Sequence, residues 1–99
     1  MRQGLNENLW FDGNGMERYM DNEYELKAML RDAEQQNDRQ FQLAFDQLLE
    51  DANTDADMAQ DRFDNSDMAA QSFRINLYRI AETFMGELEA LLFYANTIS

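Results

Sequence analysis

Asn37-Asp38-Arg39-Gln40-Phe41-Gln42-Leu43-Ala44-Phe45-Asp46-Gln47-Leu48-Leu49-Glu50-Asp51-Ala52 decides the fold. Phe41, Ala44, Phe45, Leu48 and Ala52 recur at i, i+3, i+4, i+7 and i+11, an apolar stripe with the period of an α-helix. Asn37 or Asp38 stands just ahead of the stripe, and either side chain can accept one of the orphan N–H groups of the first turn. The spacing predicts a helix that begins there, and Asn53-Thr54-Asp55 reads as its end, a turn or a helix restart.

Working outward, the chain of 99 residues has no proline and four glycines. Three of these, Gly4, Gly13 and Gly15, fall in the first 15 residues. Beyond Met16 strong helix breakers are nearly absent, whereas an all-β chain needs turn residues every few positions. The expectation is an all-α protein, a small bundle of three to four helices with a long C-terminal helix and an irregular N-terminal arm. Residues 1–15 form the arm, and residues 16–99 form one helical domain with a modest core. In the arm, Leu9-Trp10-Phe11 is an apolar knot before the turn signal Asp12-Gly13-Asn14-Gly15, and Trp10 and Phe11 are expected to dock on the bundle.

A first helix is predicted over 17–36, with Tyr19, Glu23, Leu26, Leu30 and Ala33 on one face and Met16, Met20 and Met29 widening it. Glu23 and Lys27 form an i,i+4 pair of favourable polarity. After the turn at 53–55, a short polar helix over 55–65 has Met58, Ala59 and Phe63 to bury. Asn65-Ser66-Asp67 offers the next N-cap, and a long helix runs from there to Asn96. Ala70, Phe73, Leu77, Ile80, Phe84, Leu88, Leu91 and Ala95 line one of its faces, and Ile75, Tyr78, Ala81, Met85 and Leu92 line a second. A helix apolar on two faces needs cover on both. Leu88, Leu91, Leu92, Phe93 and Tyr94 are therefore read as the interface of a homodimer, with burial inside the chain as the alternative.

Composition removes several classes of function. With no cysteine and no histidine, thiolate chemistry, the commonest general base and the commonest zinc ligand are all missing. No catalysis and no cofactor are expected. The first eight residues contain no apolar signal-peptide core, and the longest apolar run, Leu88 to Ala95, is far shorter than the ~20 residues that span a bilayer. The expected location is the cytoplasm.

Charge supplies the positive signal. Eight basic and 20 acidic residues leave a net charge of −12, beyond the magnitude of about 2–8 that keeps a small domain soluble. Such a chain repels nucleic acid and anionic membrane, and its natural partners are basic surfaces. The densest stretch carries Asp46, Glu50, Asp51, Asp55, Asp57, Asp61, Asp64 and Asp67 against Arg62 alone. On a helix Asp57, Asp61 and Asp64 share a face, as do Asp46 and Glu50, with neighbours about 5–6 Å apart at Cβ. That spacing is close to that of phosphates along a nucleic-acid strand. These eight carboxylates are the candidate partner-binding residues, and a solvated face is the plainer reading.

In size, acidity, helicity and lack of histidine and cysteine the chain resembles the small proteins by which phages and plasmids block restriction, CRISPR or repair enzymes. The likeness is one of composition and covers no motif. It implies a DNA-mimicking inhibitor, seated in host cytoplasm if phage-encoded, that occupies the basic channel of a nucleic-acid-binding enzyme. A structural or assembly protein, such as a virion component, an adaptor or a helical chaperone, is the alternative, with the C-terminal helix supplying the contacts. A calcium loop is also spelled by Asp51-Ala52-Asn53-Thr54-Asp55-Ala56-Asp57, but the glycine required at its sixth position is Ala56 and the glutamate required at its twelfth is Arg62. No metal is expected.

Overall fold

A computed structural model describes residues 10–11 and 20–98 of the chain. Within them the fold is all-α: α1 spans Glu23–Glu34, α2 spans Arg39–Asp64 and α3 spans Ala70–Ile98. The long C-terminal helix is as predicted. The signals at Asp12-Gly13-Asn14-Gly15, Met16 and Tyr19 lie outside the described residues.

α2 and α3 form an antiparallel hairpin packed along most of its length, and α1 touches both more lightly. At the closed end of the hairpin Phe63 stacks on Phe73, with centroids 4.7 Å apart and planes 8° from parallel. The molecule measures 47 × 31 × 17 Å. α1 lies across the hairpin against both of its helices. Leu26, Leu30 and Ala33 of α1 meet Phe41, Phe45, Ala52, Ala56 and Ala59 of α2, and Phe73, Leu77, Ala81, Phe84, Leu88 and Ala95 of α3, in a single core.

Several boundaries differ from expectation. α1 starts at Glu23; Met20, expected inside the first helix, is buried but not helical. Glu23 is exposed and pairs with Lys27 at 3.6 Å, a surface contact worth about 0.2–0.5 kcal/mol. α2 begins at the expected cap, with Asp38 Oδ1 accepting from Gln40 N at 3.0 Å. The turn between α1 and α2 is tied by Gln42, whose Nε2 donates to the carbonyls of Ala33 and Gln36 at 2.9 and 2.8 Å.

The largest correction is at Asn53-Thr54-Asp55. These residues neither turn nor restart; α2 runs straight through them, so the predicted second and third helices are one. Asn53 favours turns because its side chain competes for nearby backbone groups, but here that side chain is buried and engaged elsewhere. The Asp51–Asp57 segment is likewise helical, with its oxygens spread around a rod and not gathered as in a calcium loop.

Asn65-Ser66-Asp67 ends α2 and does not start α3. Ser66 N–H donates to the Phe63 carbonyl and Asp67 N–H to the Arg62 carbonyl, at 3.1 and 2.9 Å. This is a Schellman closure, and it places Ser66 at φ 66°, where glycine is usual. α3 then begins at Ala70, which is exposed. On its second face Ala81 is buried, Tyr78, Met85 and Leu92 are half-buried, and Ile75 is exposed.

Candidate partner-binding surface

α2 carries seven of the eight candidate carboxylates and sorts them onto two flanks. Asp46, Glu50, Asp57, Asp61 and Asp64 are separated by steps of 4, 7, 4 and 3 residues, which keeps them in one stripe. Asp51 and Asp55, again i,i+4, fall on the opposite flank, toward α3, where they line a hollow with Arg79, Thr83 and Glu87. Asp67 stands apart in the linker between α2 and α3. The eight therefore do not form one surface; five form a ridge about 27 Å long at 1.5 Å per residue.

All eight are exposed except Asp57, which is half-buried. Among the described residues the one ion pair is Glu23–Lys27, and no described arginine pairs with any of the eight. Four of the five ridge carboxylates, Asp46, Glu50, Asp61 and Asp64, are thus exposed with no cation paired to them among the described residues. Gln60 Nε2 donates to Asp64 at 2.9 Å and Gln47 Nε2 to Asp51 at 3.0 Å. Both glutamines lie four residues before their acceptors and fix carboxylate orientation without removing charge.

Asp57 is covered by the N-terminal arm. Trp10 Nε1 donates to Asp57 Oδ1 at 2.8 Å. The backbone N–H groups of Trp10 and Phe11 both donate to Asn53 Oδ1, at 2.6 and 3.2 Å. Phe11 is wholly buried, its ring centroid 4.4 Å from that of Phe84. Trp10 and Phe11 thus dock as expected, on the core-side edge of the acidic ridge, between Glu50 and Asp61. Asn53 Nδ2 is buried with no hydrogen-bond partner among the described residues.

Neither composition nor charge singled out Asn53. The signal available in the sequence was its position: a polar residue among Leu49, Ala52 and Ala56 on an apolar face, where a buried amide needs partners from another segment.

The predicted interface residues of α3 also divide. Leu88 is fully buried in the chain's own core and offers nothing to a second subunit. Leu91 and Leu92 are half-buried against that core. Phe93 and Tyr94 are 72% and 62% exposed. Of the apolar run at 88–95, read as a homodimer interface or as burial inside the chain, Leu88 and Ala95 are buried by the chain itself and Phe93 and Tyr94 are left exposed.

Among the described residues no group of acidic side chains is placed to hold a metal ion, and no helix is long and apolar enough to cross a membrane. No protein-family model, curated protein or solved structure matches the chain.

Proposed function

We propose that the protein is a non-catalytic acidic binding protein that inhibits a nucleic-acid-binding enzyme by seating the α2 ridge in its basic channel. One observation supports this above the others: Asp46, Glu50, Asp57, Asp61 and Asp64 occupy one helix face, with no cation paired to them among the described residues. Like charges at i,i+3 and i,i+4 cost helix stability, so the row is maintained against a local penalty. Lysines and arginines that neutralise phosphates can neutralise these carboxylates, with release of the same counterions. A rigid helix also holds the charges in a fixed row, so little ordering is lost on binding.

The test is capture of partners from nuclease-treated lysate on the immobilised protein at low salt, followed by elution with a salt gradient. A nucleic-acid enzyme should elute as salt rises, and a variant with Asp46, Asp61 and Asp64 changed to lysine should not retain it. Retention that ignores both salt and these substitutions would refute the proposal.

A second reading, an assembly protein that self-associates through α3, is favoured by the exposure of Phe93 and Tyr94. It predicts that Phe93→Asp abolishes a concentration-dependent dimer while ridge reversal leaves the dimer intact.

A further inference from the structure

The outer seam between α2 and α3 is not flush. Near the C-terminus of α3, Ala44 and Leu48 of α2 face Ala90, Leu91 and Tyr94 across an open groove of about 410 Å³. Its lining is almost wholly apolar, with Gln47 and Glu87 at its edge. Gln47 and Glu87 also border the next hollow along the seam, with Glu50, Asp51, Thr54, Asp55 and Thr83. The two therefore run together as one trough. From Ala44 to Asp55 it extends about 16 Å, three turns of α2 at 1.5 Å per residue. One end is apolar; the other carries Glu50, Asp51, Asp55 and Glu87, with Arg79 at the far limit.

We infer that this trough docks an amphipathic basic helix of a partner protein. Apolar anchors of that helix fill the space between Leu48 and Tyr94, and lysines or arginines one to two turns further on meet Asp51, Asp55 and Glu87. Charge complementarity selects this occupant. A second copy of the chain would bring its own net charge of −12 against an acidic hollow, and like charges across an interface are repelled. A helix laid in a groove by one apolar face is an established mode of recognition, and here the neighbouring charge fixes its direction. The trough lies on the flank of α2 away from Asn53 and the docked arm and shares only Glu50 with the ridge; Asp51, Asp55 and Glu87, which carry the inference, lie outside it.

The test uses a fluorescein-labelled synthetic peptide of about 16 residues, long enough for roughly four helical turns, with leucines at i, i+3, i+4 and i+7 spacing and lysines elsewhere. Its binding is followed by anisotropy and its footprint by amide chemical shifts. Shifts are expected at Ala44, Leu48, Leu91 and Tyr94. Ala90→Trp fills the groove from an exposed site without adding charge, and should weaken binding about tenfold or more. The double change Asp51→Lys, Asp55→Lys should do the same, whereas Asp61→Lys, Asp64→Lys alters net charge equally on the ridge and should change affinity less than about twofold. Equal losses from the two double variants would show that binding follows total charge and overturn the proposal. So would an affinity indifferent to Ala90→Trp, or a concentration-dependent dimer that Ala90→Trp dissolves, which assigns the groove to a second copy.

Discussion

Replacing Asn53 by alanine isolates the clasp that holds the N-terminal arm. The Asn53 carboxamide oxygen accepts from the backbone N–H groups of both Trp10 and Phe11. The Phe11 N–H is buried, so leaving it unpaired costs about 1–3 kcal/mol. The Trp10 N–H sits at a half-exposed edge and can turn to water, so its loss is nearer the net value of one hydrogen bond, about 0.5–1.5 kcal/mol. Against this, the substitution also removes Nδ2, which is buried without a partner among the described residues; relief of that group offsets about 1–3 kcal/mol. On central values the balance is a destabilisation of about 1 kcal/mol, which lowers the melting temperature of a domain this size by roughly 4–8 °C. Trp10 is the chain's only tryptophan, so its emission reports the clasp directly. In Asn53→Ala the emission should move to longer wavelength and acrylamide should quench it more strongly, while far-ultraviolet circular dichroism at low temperature keeps its helical signal. An unchanged melting temperature together with unchanged quenching would refute the assigned role of Asn53.

Ser66→Gly should stabilise the protein by about 0.5–1 kcal/mol, because relief of the left-handed backbone exceeds the entropy that glycine adds to the unfolded chain; a lower denaturation midpoint would contradict the Schellman closure. Leu88→Ala should cost about 2–5 kcal/mol by opening a cavity, while Phe93→Ser stays within about 0.5 kcal/mol; urea denaturation of the two variants separates core from surface on α3. Raising sodium chloride from about 10 mM to about 1 M shortens the screening length from roughly 30 Å to 3 Å, so repulsion along the ridge should fall and the melting temperature should rise. A melting temperature that drops with salt would mean the acidic side chains are compensated after all.

The helical fold was legible because nothing in the chain competes with it. Glycine and proline are confined or absent, and the stripe from Phe41 to Ala52 admits one period. What escaped was decided at a distance. Asn53, Thr54 and Asp55 have the local preferences of a turn, and only contact with Trp10 and Phe11, more than 40 residues away, explains why the helix continues. At Met20 an apolar residue in helical register fills the core from outside the helix. The carboxylates were half legible. Steps of three and four residues placed Asp57, Asp61 and Asp64 together, but a count of charge per stretch merges Asp51 and Asp55 with a ridge whose opposite flank they occupy. The apolar end of the trough could not be seen in advance, since Ala44 and Ala90 are individually unremarkable and become a groove only when the hairpin brings them across from each other.

The arm's attachment also orders the events of folding. α2 and α3 follow each other in the chain through a short linker, so their pairing closes a small loop, whereas the link from Trp10 to Asp57 spans 47 residues and that from Phe11 to Phe84 reaches across most of the sequence. Long-range closure is entropically slower. After rapid dilution from denaturant, ellipticity should therefore recover ahead of indole emission, with the hairpin formed first and the aromatic plug seated last.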